Sequence, residues 1–419
     1  MAFVPRLHIH NLGPIKDCEL PMNRMMVLNG PQAAGKSTIA KAIFFFRTVK
    51  DELYKTFLTG WADPVPELNA RWFLLRKLNR IFGDYMSSKN EIFLSYEYAP
   101  EIKIEIVIAP ELPATIKFSS KILKHLETYR ELDYNNIDIS KIRQELQDLF
   151  ADNSEIVYIP AGRSFTSLLT HQLNYILATM NDKQKETLDY CVMEHIERVL
   201  KIKPQLSEQR LYYEVERADV EYASFMGFIR ESMNRILKGS YTNKNGMDEI
   251  VMFNPNVHIP LSLASSGQQE VVWILNLIYY YLREKQPTMF IIEEPEAHLY
   301  PDSQKKIAEY IVLALHERNE CVVTTHSPYI LGALNNLLDI NRLANKGINI
   351  ANILETNGLL GAQLLNRKEF VAHFVDGGSI EDAMDEETGL IRNEMIDGAS
   401  DKINRLADEI FALECANDE

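Results

Sequence analysis

The feature that most constrains this chain is the run Gly30-Pro31-Gln32-Ala33-Ala34-Gly35-Lys36-Ser37-Thr38. It lies between the apolar segment Met25-Met26-Val27-Leu28 and a stretch with Ile39, Ala42, Ile43 and Phe46 on one helical face. Gly30-x4-Gly35-Lys36-Ser37 between a strand and a helix is the spacing of a loop whose backbone N–H groups surround phosphates. The glycines supply the conformations such a loop needs. The helix that follows aims its N-terminal dipole at the anion. Lys36 would reach the β- and γ-phosphates, and the Ser37 hydroxyl would ligate Mg²⁺. By itself the loop fits a kinase, a GTPase or a motor.

Three further segments narrow the reading. Met289-Phe290-Ile291-Ile292 is an apolar strand that delivers Glu293 and Glu294 at its C-terminal end, the edge where open parallel sheets bind ligands. Glu293 stands where a Mg²⁺-associated acid is expected, and Glu294 where a base can orient or deprotonate water. A strand running into an acidic helix N-terminus would look the same. Cys321-Val322-Val323-Thr324-Thr325 is a second strand, ending at His326-Ser327-Pro328. His326 is read as a γ-phosphate contact; the bland alternative is a structural histidine before a helix. Finally, Ser265-Ser266-Gly267-Gln268 opens the apolar helix around 270–282, as either an anion-binding turn or an ordinary helix cap.

The chain has 419 residues and a formal net charge of -15, which disfavours non-specific coating of nucleic acid and leaves room only for a local basic groove. The 4 cysteines, Cys18, Cys191, Cys321 and Cys415, have no CxxC spacing and fit reduced thiols in a cytoplasmic protein. The longest apolar run, Val271 to Leu282, is too short for a bilayer of ~30 Å, so no membrane association is expected.

Taken in this order, the four segments resemble the ATP-binding-cassette ATPases, more narrowly the AAA-type branch with SMC, Rad50, RecF and OLD-like proteins. Ala264-Ser265-Ser266-Gly267-Gln268 is similar to the signature motif of that family, Glu293-Glu294-Pro295-Glu296 to its Walker B segment and His326 to its switch histidine. Leu7-His8-Ile9-His10-Asn11-Leu12-Gly13-Pro14-Ile15 resembles its opening strand. The fold implied is α/β, a phosphate-loop core of the ABC-ATPase type with an antiparallel β subdomain and helical insertions. Residues 1–50 and 249–336 would form the core. Residues 51–164 read as a β-meander (91–118) and helical insertion, 165–248 as a helical arm or lid, and 337–419 as a polar tail, helical at Ser400 to Leu413.

The resemblance implies ATP and Mg²⁺ as cofactors, with Gly30 through Thr38 and Ser265 through Gln268 binding nucleotide. It implies Ser37 and Glu293 at the metal, and Lys36, Glu294 and His326 as catalytic groups. It also implies a homodimer or higher oligomer, because the signature motif of one protomer closes over ATP held by the loop of another. The chain departs from the family in Gln32, in Ala33, in Glu293 for aspartate, and in the missing leucine of the signature. Ala33 is expected to cost stability if its φ is positive. Arg163, after Tyr158-Ile159-Pro160, is either a strand-end site residue or a surface arginine.

No nuclease pattern is visible after His326, so a separate nuclease-like effector is expected. The resemblance extends to the ATPases of the PARIS, Septu and retron systems and implies a regulator in anti-phage defence. The rival readings are a RecF- or SMC-like DNA-binding repair ATPase, a transporter subunit and a scaffold without turnover.

Overall fold

The computed structural model describes residues 3–59, 66–83, 90–129, 138–168, 175, 178–181, 184, 188–206, 220–244, 246–396 and 404. The first half runs β1 (Arg6–Leu12), β2 (Ile15–Pro21), β3 (Met25–Asn29), α1 (Lys36–Arg47), α2 (Val49–Thr59), α3 (Pro66–Phe82), β4 (Ile92–Ala99), β5 (Ile102–Ile108), β6 (Thr115–Phe118), α4 (Ser120–Thr128), α5 (Ile139–Leu149) and β7 (Glu155–Ile159). Helices α6 (Ser164–Leu168), α7 (Tyr190–Ile202) and α8 (Val220–Leu237) follow, then β8 (Gly239–Lys244), β9 (Met247–Met252) and β10 (His258–Pro260). The chain continues through α9 (Ser266–Arg283), β11 (Thr288–Glu293), α10 (Pro301–Leu313), β12 (Glu320–Thr325), α11 (Pro328–Asn345), α12 (Ala351–Asn357), β13 (Phe370–Asp376) and β14 (Ser379–Asp382).

The central sheet has the order β14-β13-β3-β12-β11-β7. Strands β13, β3, β12, β11 and β7 are parallel, and β14 is antiparallel at one edge. Every residue of β3 and β11 is buried, as expected for strands covered on both faces. The register sets Asn29 beside Thr325, Glu293 beside Thr324 and Ile292 beside Ile159. The C-terminal ends of β3, β12, β11 and β7 therefore open on one edge of the sheet.

A second sheet, β2-β1-β4-β5-β6, is antiparallel. In β5 the buried Ile102, Ile104, Ile106 and Ile108 alternate with half-exposed Lys103, Glu105 and Val107, the pattern of a sheet with one dry face. Helix α1 lies between the two sheets. Phe44 meets Tyr158 of the central sheet edge-on at 5.2 Å, and Phe46 stacks on Tyr96 of the antiparallel sheet at 5.5 Å. This double burial explains why its face is apolar almost all round. Strands β10-β9-β8 form a small separate sheet. Among the described residues no helix is long and apolar enough to cross a membrane.

The α/β class, the antiparallel subdomain and the helical insertions agree with expectation, but the boundaries read from sequence do not follow the sheets. Strand β7, inside the expected 51–164 insertion, is an edge strand of the core sheet. Residues 249–260 supply strands to the small sheet rather than to the core sheet, although Ile250 is buried in the shared core. The region 165–248 is no projecting arm in its described part: Val199, Ile202, Met226, Ile229 and Ile236 share one apolar core with Ile274 and Phe290. The expected polar tail contains β13, which is hydrogen-bonded directly to β3. The helix expected at Ser400 to Leu413 lies outside the described residues.

Candidate functional site

The phosphate-loop segment leaves β3 at Asn29 and enters α1 at Lys36, with Gly35 as the N-cap at φ 110. Gly30 has φ 148, and a Cβ there would sit 2.1 Å from the Val375 carbonyl oxygen. A Cβ on Gly35 would meet Ile15 Cδ1 at 2.4 Å. Gly30 is thus required by close approach to backbone as well as by its conformation, and Gly35 chiefly by its conformation. The β13–β14 turn and the β1–β2 turn flank the loop and are tied together, since Lys16 N donates to Gly378 O at 2.8 Å. Ala33 has φ 62, the left-handed conformation in which an alanine is strained.

Lys36 is buried, and its Nζ donates to the Gly30 and Pro31 carbonyls at 2.7 Å each. Burial lowers its pKa, against the pull of Glu294 and Glu296. Gly30, Ala34, Gly35 and Thr38 are buried, whereas Pro31, Gln32, Ala33 and Ser37 are exposed.

Glu293 ends β11 with its side chain buried. Its Oε2 accepts from Ala161 N at 3.4 Å, and its Oε1 has no hydrogen-bond partner. Burial first, and then the charge of Glu293, raise the Tyr158 hydroxyl pKa well above its ordinary value. Glu294 follows at φ 43, its N–H donating to the Thr324 carbonyl at 2.9 Å. A left-handed conformation costs a non-glycine residue about 1–2 kcal/mol. Such strain persists where the surroundings over-determine it, commonly at functional sites.

Those surroundings are supplied by Arg163, which is 1 % exposed. The surface alternative for this residue is therefore corrected. Its Nη1 donates to the Glu293 carbonyl at 2.6 Å and to Pro160 O at 2.8 Å, and its Nη2 donates to the Glu294 carbonyl at 2.9 Å. Its Nε donates to Glu270 O at 2.9 Å and lies 3.5 Å from the Glu270 carboxylate. One side chain thus ties the ends of β7 and β11 to the first turns of α9.

His326 follows β12. Its Nδ1 is 3.4 Å from Glu296 Oε1 and 3.9 Å from Glu294 Oε1. Glu296 is buried, and its Oε1 accepts from Thr325 Oγ1 at 2.7 Å and from the His326 backbone N–H at 2.9 Å. Glu296 therefore holds the backbone of His326 and lies beside its ring. Its part was missed in the sequence although it lies within the acidic run. Glu270 was missed as well, because a lone glutamate early in an apolar helix gives no sign of a buried arginine 107 residues away.

Ser265 caps α9. Its N–H donates to Gln268 Oε1 at 3.1 Å, its Oγ accepts from Gln268 N at 3.4 Å, and Gln268 Nε2 donates to Leu237 O at 2.7 Å. Gly267 passes so close to the strand-end loop that a Cβ would lie 2.9 Å from the His298 carbonyl oxygen. Ser265 and Ser266 are exposed. Lys36, Glu293, Glu294 and His326 thus gather at one sheet edge, whereas among the described residues no hydrogen bond or ion pair joins 265–268 to 30–38. Nor is any group of three or more His, Cys, Asp or Glu among those residues placed to hold a metal by itself.

The family model of the AAA ATPase domain matches residues 3–158 and 108–331. An uncharacterized protein of Methanocaldococcus jannaschii is 24% identical over 87 residues, which is 21% of this chain and 10% of that protein. The chain therefore matches about a tenth of that relative's length. Among solved structures, an SMC head bound to the C-winged helix domain of ScpA has 11% identity and a TM-score of 0.42, covering 91% of this chain and 96% of that one. The SMC head domain from Thermotoga maritima has 12% identity and a TM-score of 0.36, covering 91% and 99%. An SMC head from Pyrococcus furiosus, with an extended coiled coil and bound to the C-terminal domain of ScpA, has 13% identity and a TM-score of 0.40, covering 91% and 96%.

Proposed function

The chain belongs to the AAA ATPase domain family, and from that premise we propose that it hydrolyses ATP in sites completed by a second copy, as an oligomeric switch. The observation that carries this reading is the division of the candidate site. Lys36, Glu294 and His326 lie together at the ends of β3, β11 and β12. Ser265 and Ser266 are solvent-facing at the start of α9, and Ser265 is held by its helix cap with Gln268. A site of this kind is finished when Ser265 and Gly267 of a partner protomer donate to the γ-phosphate.

Each group has a distinct task. Lys36 leaves the Gly30 and Pro31 carbonyls for the β- and γ-phosphates. Glu294 accepts the proton of a water that attacks the γ-phosphorus; the bond to the β-phosphate oxygen breaks, giving ADP and phosphate. His326, aligned by Glu296, contacts the γ-phosphate. Ser37 and Glu293 would hold Mg²⁺, which supplies charge neutralisation on the phosphate oxygens. The unpartnered Glu293 Oε1 fits that part, and an ion that keeps several waters and phosphate ligands does not need an all-protein cage.

Glu294→Gln tests both halves of the proposal. With ATP and Mg²⁺ the variant should run as a stable dimer or larger species in size exclusion with light scattering. Adding Ser265→Arg should abolish that species. Mixing Lys36→Ala with Ser265→Arg chains should restore part of the turnover, because one complete site forms per pair. No recovery on mixing would sink the composite site.

We further propose a physiological setting: regulation of a separate toxic effector, such as a nuclease, in anti-phage defence. It is supported by the resemblance to the ATPases of PARIS, Septu and retron systems. Affinity capture of the tagged chain from its native host should return an effector whose retention changes with ATP. A chain that turns ATP over and retains no partner would defeat the proposal.

A further inference from the structure

Strands β7 and β11 run parallel in the central sheet, with Tyr158 opposite Ile291. Side chains alternate along a strand, so Tyr158, Ile291 and Glu293 point to one face. The packing agrees. Tyr158 and Ile291 share a core with Ile43 and Phe44 of α1, whereas their neighbours Ile159 and Ile292 belong to the core of the opposite face. Glu293 is thus the diagonal neighbour of Tyr158 on the α1 side. Two residues of rise are about 7 Å and adjacent strands lie about 5 Å apart, a diagonal that a tyrosine and a glutamate together cover.

The Tyr158 side chain is fully buried, and its ring is set edge-on against Phe44 at 5.2 Å. Its hydroxyl is closed off from solvent without a hydrogen-bond partner, and so is Glu293 Oε1. Buried polar atoms are ordinarily paired, so two such atoms on neighbouring strands call for an explanation. After burial itself, the charge of Glu293 acts most strongly on this hydroxyl, which places the two groups face to face. Lys41, one turn after Ser37 on α1, also lies within the influence of Glu293, but its ammonium is bonded to Asp189. A glutamate has one more torsion to restrain than an aspartate before its carboxylate can serve an ion. That carboxylate offers about four lone-pair sites. Ala161 N occupies one, through Oε2. A phenol bond would take a second and leave room for a cation. Groups behind a metal ligand fix its orientation in just this way.

We infer that Tyr158 is a positioning residue for the metal side of the site: its hydroxyl donates to the Glu293 carboxylate and holds it toward Mg²⁺. This rests on the reading of Glu293 as the acid beside Mg²⁺, and adds the residue that aims it.

The test is binding of a fluorescent, non-hydrolysable ATP analogue to the full chain, in EDTA and across a Mg²⁺ titration. Mg²⁺ should tighten binding to the wild type. Tyr158→Phe keeps the ring against Phe44. Its affinity in EDTA should match the wild type, while the Mg²⁺ concentration giving half of the tightening rises about tenfold or more. Glu293→Gln should raise that concentration too, and adding Tyr158→Phe to it should raise it no further. Tyr96→Phe removes another buried hydroxyl without a hydrogen-bond partner and should leave the Mg²⁺ dependence as in the wild type. The inference alone is overturned if Glu293→Gln shifts the Mg²⁺ dependence and Tyr158→Phe does not. It is equally overturned if Tyr158→Phe and Tyr96→Phe shift it alike, if Tyr158→Phe loses as much affinity in EDTA as in Mg²⁺, or if the shifts add in the double variant. Failure of Mg²⁺ to tighten wild-type binding, or of Glu293→Gln to alter the dependence, would overturn the reading of Glu293 at the metal and this inference with it.

Discussion

The Arg163 guanidinium donates to the backbone carbonyl of Glu293 at 2.6 Å, so a side chain that follows one edge strand holds the end of its neighbour. The main chain of Glu293 is thereby fixed without engaging its carboxyl. The same guanidinium also holds the carbonyl of Glu294, the residue in the strained conformation.

Arg163→Ala should be among the most destabilising single changes in the chain. It removes donors from the carbonyls of Pro160, Glu270, Glu293 and Glu294 and leaves the Glu270 carboxylate buried without a counter-charge. Breaking a buried pair from one side costs about 3–5 kcal/mol. Urea unfolding should show a loss of that order. The double variant Arg163→Met, Glu270→Gln should lose less than the sum of the two single changes, because no orphan charge remains. A loss under about 1 kcal/mol for Arg163→Ala would contradict the clamp.

Ala33→Gly should stabilise the protein. Ala33 sits at φ 62, where glycine has no Cβ penalty, and the penalty of about 1–2 kcal/mol exceeds the added chain entropy of glycine, about 0.5–1 kcal/mol. A gain of about 0.5–1 kcal/mol should appear as a higher urea midpoint at unchanged slope. A lower midpoint would show that the loop conformation differs.

Glu296→Ala should separate binding from turnover. Glu296 acts through His326 and is a positioning residue. Without its carboxylate the Thr325 hydroxyl and the His326 N–H lose their acceptor. The expected outcome is kcat lowered about ten- to a hundredfold, with ATP affinity by equilibrium binding nearly unchanged. Glu296→Gln, which keeps one carbonyl acceptor, should recover part of the rate. Equal loss in affinity and rate would point to a merely structural defect.

Acid should weaken the fold through His195, which is fully buried. Burial first, and then the charges of Arg163 and Arg198, push its pKa down to about 3. An unfolded histidine titrates near 6.5. Between those values the unfolded chain binds the extra proton, so stability rises with pH across this window and falls as pH drops from about 6.5 toward 3. Unfolding free energies at a series of pH values should show that slope. His195→Leu should flatten it in the upper part of the window; an unchanged slope would exclude His195 as its source.

Much of this was readable in the residues because it was local. β3, β11 and β12 announce themselves as short apolar runs, each ending in a polar residue, and α9 as a mostly apolar helix behind a serine cap. What escaped reading was pairing across distance. Phe370–Asp376 reads as one more apolar patch in a polar region, because its partner β3 lies hundreds of residues earlier and leaves no mark on the segment itself. β7 was recognisable as a strand, but nothing local places it at the edge of the core sheet. Arg163 remained ambiguous for the same reason, since a buried arginine is defined by the carbonyls it meets and carbonyls have no sequence.

The position of β3 has a consequence for how the molecule is made. Its two neighbours, β12 and β13, begin at Glu320 and Phe370, so on a ribosome the strand that leads into the phosphate loop emerges long before either partner exists. Such long-range parallel pairing is slow and leaves apolar edges open while synthesis proceeds. The backbone contact between Gly30 and Val375 can form only after that residue has been made. An incomplete nascent chain therefore carries the loop sequence without its finished cradle, and competence to hold nucleotide arrives only once Val375 has been added.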